Sequence, residues 1–276
     1  MKPSRIRACF AFAPAVLVLG LGIAAAPLSG QVSVQDGLAH GDPPFLLEAG
    51  WTPLLNGKNL DGWKLQSPDR GGWGTSAAVF WGGPADPKRL KGVAAPGDRI
   101  LNTMTDLKPL PSNIYTAETF GDSELYLEFM LGQGSNSGCY MHGLYEIQIY
   151  DSFGTNPANP GAICGTLYNY VPVNNTYIGA VAPLVRAERP IGLWQTLQVW
   201  FQAPRFDAAG KKTAKAKFLR VLLNGVLIQE NVERDGPTQA SMKIPEAARN
   251  PLMLQGDHTE IAYRNIYVRP LRPLVK

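Results

Sequence analysis

Alternating polar side chains occupy one face of a short apolar segment, "YEIQIYDSFG", in the middle of the chain. In an extended strand Ile147 and Ile149 point one way, while Glu146 and Gln148 point the other. Asp151 falls on the isoleucine side, but a one-residue bulge would bring it beside Glu146. Two carboxylates about 5–5.5 Å apart around a sugar cleave glycosidic bonds with retention. The alternative is an ordinary strand with a polar face and no catalysis.

Two histidines are candidates for proton transfer, because the pKa of imidazole lies near neutrality. His258 follows Asp257 just before the last apolar segment and is a predicted catalytic residue, beside Glu146. The other interpretation of His258 is a loop histidine bound to a backbone carbonyl. His142 shares the parity of Glu146 if the strand runs unbroken, which makes it either a third catalytic residue or a structural one. Asp151 could orient either histidine, or accept backbone N–H groups in the turn that follows it.

Other polar and aromatic side chains could hold a sugar. Arg264 offers a planar fork of donors for an enolate oxygen or two hydroxyls, or else it pairs with Glu128 or Glu146. The predicted substrate-binding residues are Gln148, Arg264, Asp151, Tyr140 and Gln255. The aromatic residues that could stack on a sugar ring are Trp63, Trp73, Trp81, Tyr140 and Tyr168. Core packing is the alternative for each aromatic residue.

A divalent cation that stabilises an enolate is a further hypothesis. The side chains that could ligate it are Glu146, Asp151, Asp257 and His258. Their spacing matches no diagnostic ligand pattern, so the cation remains a possibility that the sequence alone does not require.

Strands must position these residues. Alternating apolar patterns occur at 123–131, 138–151, 193–203 and 260–271. Asn224-Gly225 lies between two apolar runs, which is the strongest short-range signal for a β-hairpin. Many short strands separated by Pro- and Gly-bearing loops predict an all-β fold, an antiparallel β-sandwich of the jelly-roll type. No internal repeat and no second domain are predicted.

The N-terminus has the pattern of a secretory signal peptide over residues 1–30: a basic head, an apolar run and small residues at the exit. A retained membrane anchor is the alternative, although the apolar run is short for a membrane span. We therefore predict a secreted or periplasmic protein without a membrane span after processing. Residues 31–48 are predicted to be a linker, and residues 49–272 a single domain.

Charge and cysteine content limit the partners and the covalent links. Residues 1–30 contain three basic and no acidic residues, so 23 Lys and Arg remain against 22 Asp and Glu. This near balance argues against a nucleic-acid or anionic-membrane partner. Cys139 and Cys164 would share an oxidising compartment, and either a disulfide or two buried free thiols is compatible with the sequence.

The central segment resembles the Glu-x-Asp-x-x-Glu signature of retaining β-glucanases, which have a concanavalin A-like jelly roll. Gln148 stands at the position of the middle aspartate, and Asp151 replaces the last glutamate. The middle carboxylate tunes the nucleophile in those enzymes. Its absence makes retaining hydrolysis of an unoxidised glucan the less favoured hypothesis.

A more extensive resemblance covers roughly residues 49–272. The blocks "GWTPLLNGKNLDGWK", "NSGCYMHGLYEIQIYDSFG", "CGTLYNY", "RPIGLWQTLQVWFQAPRFDAAGK", "VLLNGVLIQENVERDGPT" and "PLMLQGDHTEIAYRNIYVRPL" follow in order. Together they resemble the 3-keto-disaccharide hydrolase domain family, also with a concanavalin A-like jelly roll. The chain departs from the usual pattern at His142, where an arginine is common, and in the order Gln255-Gly256-Asp257-His258. The segment 170–186 also looks longer than usual.

The resemblance implies cleavage of a glycoside whose sugar a separate oxidoreductase has already oxidised at C3. A base removes the acidified C2 proton, the aglycone leaves from C1, and water adds back to give the 3-keto sugar. Such a site needs a base, an enolate stabiliser and a proton donor, but no carboxylate nucleophile. The alternative from another class is a non-catalytic carbohydrate-binding jelly-roll module that retains the groove.

Overall fold

The computed structural model of the protein describes residues 43–102, 111–173 and 176–273. The predicted signal peptide and the first part of the predicted linker lie outside these residues. Within the described part, no helix has the length and apolar character needed to cross a membrane.

Short extended segments dominate the described chain, as the alternating patterns predict. The helix α1 is Pro44–Leu47. The strands are β1 Thr52–Pro53, β2 Trp63–Leu65, β3 Trp73–Ser76, β4 Val79–Trp81, β5 Leu90–Gly92, β6 Arg99–Asn102, β7 Ile114–Thr116, β8 Ser123–Leu131, β9 Asn136–Met141, β10 Tyr145–Tyr150, β11 Tyr170–Val173, β12 Thr176–Ile178, β13 Trp194–Gln202, β14 Arg205–Phe206, β15 Lys212–Ala214, β16 Ala216–Leu223, β17 Val226–Arg234, β18 Met253–Leu254 and β19 Ile261–Pro270. Single 3₁₀ turns occur at Pro68–Arg70 and Pro160–Ala162.

Two antiparallel sheets form the body of the fold. In the described residues the large sheet has the order β17-β16-β13-β8-β19-β6-β3, with β1 added beside β19, and the small sheet has the order β10-β9-β18-β7-β2. The turn between β16 and β17 places Asn224 and Gly225 at φ +52° and +78°, as a two-residue hairpin requires. This confirms the predicted hairpin.

One apolar core joins the inner faces of the two sheets. Ile147 and Ile149 of the small sheet belong to the same buried cluster as Leu127 and Val199 of the large sheet. The Ser137 and Tyr263 hydroxyls also meet across the two sheets at 2.7 Å. These contacts confirm the predicted antiparallel β-sandwich of the jelly-roll type.

The outer face of the large sheet carries a second, smaller core. The β4–β5 hairpin contributes Val79 and Leu90, which pack with Trp194, Met130 and Ala262 of the sheet. This hairpin covers the large sheet on the side away from the sandwich core.

The described end of the predicted linker packs against the domain. The Phe45 ring in α1 stacks on the Tyr267 ring with centroids 3.9 Å apart, and its edge meets the Tyr126 ring. Glu48 forms an ion pair with Arg269 at 2.6 Å. Residues 43–48 are therefore packed on the domain and differ from a free linker, because the Phe45 ring and the Glu48 carboxylate both contact β19.

Cys139 and Cys164 are buried free thiols. Of the two arrangements compatible with the sequence, the structure has the one without a disulfide.

Candidate functional site

The strands β9 and β10 place a set of polar side chains on the outer face of the small sheet. Their register pairs Glu146 with Tyr140 and Gln148 with Gly138, so all four residues share that face. Ile147 and Ile149 point into the core, as the alternation predicts. We call Tyr140, Glu146, Gln148 and Gln255 the Glu146 cluster.

A glycine makes room for the Glu146 carboxyl. A Cβ atom at Gly138 would lie 2.3 Å from Glu146 Oε1 and 2.9 Å from Tyr140 Cε2. Any larger residue at this strand position would collide with the carboxyl. Glycine inside a strand often marks such a close approach, and this was the sequence signal available for Gly138.

Hydrogen bonds link the members of the Glu146 cluster. The Tyr140 hydroxyl donates to the Glu146 carboxyl, and Gln255 Nε2 donates to the Tyr140 oxygen at 3.4 Å. Gln148 Nε2 donates to the carbonyl oxygen of Gly161 at 2.8 Å. The Glu146 backbone N–H is held by Thr238 Oγ1 at 3.0 Å. No local sequence pattern indicates Gly161 or Thr238, because they lie in a 3₁₀ turn and in a loop, 13 and 92 positions from their partners.

Glu146 is the buried acid of the cluster. Burial, together with the negative charge of Asp257, raises the pKa of Glu146 to about 8, although the hydrogen bond from Tyr140 lowers it. Burial also raises the pKa of Tyr140 well above its usual value. At neutral pH the Glu146 carboxyl therefore holds its proton and can donate it.

Asp257 and His258 form a pair beside the cluster. His258 Nδ1 lies 2.6 Å from Asp257 Oδ1, and this hydrogen bond raises the pKa of His258 above 6.5. The charge of Asp257 acts on both Glu146 and Tyr140, so the pair lies within electrostatic reach of the cluster. The side chains of Asp257 and His258 are 34% and 45% exposed, which leaves them open to a ligand.

Tyr168 lies beside the cluster and is partly exposed. Its ring packs on Gly161, where an added Cβ would come within 2.7 Å of Tyr168 Cε2. Its backbone N–H donates to the Glu146 carbonyl oxygen at 3.1 Å. The half-buried Tyr168 and the pair Asp257–His258 thus border the buried acid.

An apolar patch continues the same face beyond Tyr140. Tyr140, Met242 and Met253 form a small buried cluster, with Tyr115 and Ile244 packed against it. Segment 238–250 covers this part of the sheet, so the polar part of the face is limited to the neighbourhood of Glu146.

The bulge that would bring Asp151 beside Glu146 is absent, and the structure has the other alternative, a turn residue that accepts a backbone N–H. The β9–β10 register runs without a shift from Tyr145 to Tyr150. Asp151 follows the strand and accepts a hydrogen bond from the Gly134 N–H at 2.8 Å. It is a turn residue at the end of β10 and does not join Glu146.

The structure does not bring His142 to the Glu146 cluster. β9 ends at Met141, and His142 begins the hairpin loop with φ +58°, so the parity of the strand does not extend to it. Its ring is buried, with Nε2 3.4 Å from the Gly121 carbonyl oxygen and its edge against Phe201. Burial lowers its pKa. These contacts correspond to the structural interpretation of His142.

Arg264 lies on the large sheet, away from the cluster. Its Nε donates to Glu128 Oε2 at 2.5 Å, and its guanidinium lies 4.2 Å from the Trp194 ring centroid. The neighbouring Tyr263 points into the core, which sends Arg264 to the outer face. Of the two partners considered for this arginine, the structure has Glu128, and its position does not support a role in holding substrate.

In the described part of the chain, no group of three or more His, Cys, Asp or Glu side chains could hold a metal ion. The hypothesis of a divalent cation therefore finds no ready ligand set among these residues.

The fold is similar to two crystal structures from Parabacteroides distasonis ATCC 8503, each of a proposed glycosyl hydrolase. One is 23% identical with a TM-score of 0.56 and covers 81% of this chain and 84% of that chain. The other is 16% identical with a TM-score of 0.53 and covers 81% of this chain and 95% of that chain. These similarities establish the fold.

A comparison with curated proteins finds no significant match. A protein-family model matches residues 50–269, which is most of the chain. Its description is the 3-keto-alpha-glucoside-1,2-lyase-like domain.

Proposed function

The chain belongs to the 3-keto-alpha-glucoside-1,2-lyase-like domain family, and from this premise we propose that it cleaves the glycosidic bond of 3-keto-glycosides. The observation that supports this best is the buried Glu146 carboxyl, whose pKa burial raises to about 8, beside the Asp257–His258 pair. An acid that holds its proton and an imidazole backed by a carboxylate are the two groups that an elimination needs.

The reaction begins at C2 of the sugar. The ketone at C3 acidifies the C2–H bond, so a base can remove that proton and leave an enolate. The electron pair then forms the C1=C2 double bond while the C1–O bond to the aglycone breaks. The departing oxygen takes a proton from an acid. Addition of water across C1=C2 restores the 3-keto sugar, and the net reaction is hydrolysis.

His258 is the base in this proposal. Asp257 binds Nδ1, which leaves Nε2 as the atom that accepts the C2 proton. The same carboxylate stabilises the imidazolium that forms, and it raises the pKa of His258 above 6.5. A stronger base near neutral pH removes a carbon-bound proton faster.

Glu146 is the acid. Its carboxyl accepts the Tyr140 hydroxyl hydrogen, so its own hydrogen is available for the departing glycosidic oxygen. Its pKa of about 8 keeps the proton on Glu146 at neutral pH. A retaining glucanase would instead need an ionised nucleophile here and a second carboxylate about 5–5.5 Å away. The continuous register that separates Asp151 from Glu146 therefore counts against that alternative.

The substrate would come from a separate enzyme that oxidises the sugar at C3, since this reaction depends on the ketone. The predicted signal peptide would place this cleavage outside the cytoplasm, in the periplasm or the medium. Whether the elimination product is rehydrated on the protein or in solution does not change the bond that is cleaved.

The test is release of methanol from methyl 3-keto-α-glucoside and from the unoxidised methyl α-glucoside, because an alkoxide, unlike 4-nitrophenolate, needs a proton from the acid in order to leave. We expect release from the keto substrate alone. Glu146→Gln and His258→Ala should each lower kcat by about 10²–10⁴-fold. Glu230→Gln, an exposed glutamate on β17, is the control and should retain full activity.

Two outcomes would contradict the proposal. Binding of the keto substrate without release would indicate a carbohydrate-binding module. Release from the unoxidised glucoside, with a covalent glycosyl-enzyme, would indicate a retaining glycosidase.

A further inference from the structure

Two buried amide oxygens in the Glu146 cluster have no hydrogen-bond partner. They are Gln148 Oε1 and Gln255 Oε1. Both side chains are nearly inaccessible to solvent, at 4% and 5% exposure. A buried acceptor without a donor costs free energy, so each oxygen is expected to meet a donor that the protein does not supply.

The orientation of the Gln148 amide is fixed by its neighbours. Gln148 Nε2 faces the Gly161 carbonyl oxygen at 2.8 Å and Asn136 Oδ1 at 3.4 Å. A carbonyl oxygen only accepts, so the amide cannot be reversed without placing two oxygens against each other. Gln148 Oε1 is therefore the atom left for a ligand.

The orientation of Gln255 follows from the hydrogen-bond chain. The only hydroxyl hydrogen of Tyr140 goes to Glu146, so the Tyr140 oxygen must accept from Gln255 Nε2. This leaves Gln255 Oε1 without a donor. The cluster thus presents acceptor oxygens from Gln148 and Gln255 on either side of a carboxyl.

The charges around the cluster disfavour an anionic ligand. Asp257 is negative and acts on both Glu146 and Tyr140, and His258 is already paired with Asp257. A ligand carboxylate would therefore face acceptor oxygens and a like charge.

We propose that Gln148 and Gln255 recognise an uncharged sugar by accepting hydrogen bonds from two of its hydroxyls, and that the same acceptors exclude glycuronides. This inference rests on the proposed function for the location of the sugar site. Tyr168 and Asp257, which are both partly exposed and both act electrostatically on Tyr140, lie nearest to the cluster on the solvent side. A site that offers only acceptor oxygens needs a hydrogen-bond donor from its ligand, and a sugar hydroxyl can donate as well as accept.

The test compares Gln148→Leu and Gln255→Leu with Gln229→Leu. Gln229 is the matched control, because it is buried elsewhere and its Nε2 also donates to backbone carbonyls, of Gly165 and Val181, at 3.0 Å each. Calorimetry would measure binding of methyl α-glucoside and methyl α-glucuronide, neither of which carries the ketone. KM for the 3-keto-glucoside would be measured with the same proteins.

Each cluster variant should bind methyl α-glucoside about fivefold more weakly and raise KM by a similar factor, whereas Gln229→Leu should change neither. The glucuronide should bind at least tenfold more weakly than the glucoside. Equal binding of the two sugars, or equal losses in the control, would overturn the inference.

Failure of the inference and failure of the proposed function give different results. Aglycone release with unchanged KM in both cluster variants would remove only the recognition role. Fivefold weaker glucoside binding in a protein that releases no aglycone would support recognition and count against catalysis.

Discussion

Glu128 and Glu146 are both buried carboxylates on outward faces of the sandwich, yet their surroundings differ. Glu128, on the large sheet, receives Arg264 Nε at 2.5 Å, Asn265 Nδ2 at 2.9 Å and the Tyr126 hydroxyl at 3.0 Å. Glu146, on the small sheet, receives the Tyr140 hydroxyl and experiences the negative charge of Asp257. No described arginine or lysine forms an ion pair with it.

This difference separates a structural carboxylate from a reactive one. The Arg264 guanidinium donates to Oε2 of Glu128, while Asn265 and Tyr126 donate to Oε1, so both oxygens are satisfied and little reactivity remains. Glu146 has a hydrogen bond but no counter-charge, and it therefore keeps a proton that it can donate. Both residues are glutamates on a strand, and they differ in whether a positively charged side chain pairs with the carboxylate.

The largest loss of stability is expected from Glu128→Gln. The substitution leaves the buried Arg264 charge over Trp194 without its carboxylate. We expect the free energy of unfolding to fall by about 3 kcal/mol, measured by urea denaturation at pH 7. If Glu128→Gln lowers the free energy of unfolding by less than the exposed control Glu230→Gln does, the Glu128–Arg264 pair contributes no stability.

Glu146→Gln should change the free energy of unfolding in the opposite direction, by raising it. The pKa of Glu146 rises from 4.5 to about 8 on folding, so the folded state holds more protons between those values. Its contribution to stability is therefore complete below pH 4.5 and is lost as the pH rises to about 8. Glutamine stays neutral, so the variant should be more stable by about 3 kcal/mol at pH 7, with almost no gain near pH 4.5.

Denaturation curves at pH 4.5, 6, 7 and 8 would check this trend. Wild type and Glu146→Gln should diverge steadily across the series, whereas wild type and Glu230→Gln should run in parallel. A constant difference at all four pH values would contradict the raised pKa.

The pH dependence of kcat/KM extends the comparison from stability to reactivity. Above pH 8 the Glu146 carboxyl loses its proton, and the rate should fall about tenfold for each further pH unit. On the acid side, protonation of His258 should give a limb centred above pH 6.5. The measurement is aglycone release corrected for the uncatalysed reaction, and a flat profile to pH 10 would rule out Glu146 as the acid.

Gly138→Ala should have the smallest effect, because it moves the Glu146 carboxyl without removing it. The new Cβ would lie 2.3 Å from Oε1, so the carboxyl must shift. We expect a loss of about 1 kcal/mol in stability and about tenfold in kcat/KM. Gly74→Ala on β3 meets nothing within 4 Å and is the matched control, with no loss in activity.

The sequence allowed the fold and half of the candidate site to be predicted. The alternation in "YEIQIYD" assigned Ile147 to the core and Glu146 with Gln148 to the opposite face, because side-chain direction in a regular strand depends only on parity. The Asn224-Gly225 hairpin was equally predictable, since few residue pairs adopt two positive φ angles.

Where parity ends, the sequence left a functional and a structural alternative open, and the structure has the structural one. His142 follows the last residue of β9, and a hairpin loop turned it into the core. Arg264 lies one residue after the core residue Tyr263, but the partner that fixes it, Glu128, is 136 positions away. The positions of side chains held by loops or by distant strands depend on tertiary contacts, and a local sequence pattern does not predict those contacts.

The stacking of Phe45 on Tyr267 affects where a fragment of this protein should be cut for expression. The family match starts at residue 50, and a fragment starting there would lose both Phe45 and the carboxylate of Glu48 that binds Arg269. The rings of Tyr267 on β19 and Tyr126 on β8 would then face water and favour self-association. A start before Pro43 keeps that surface covered.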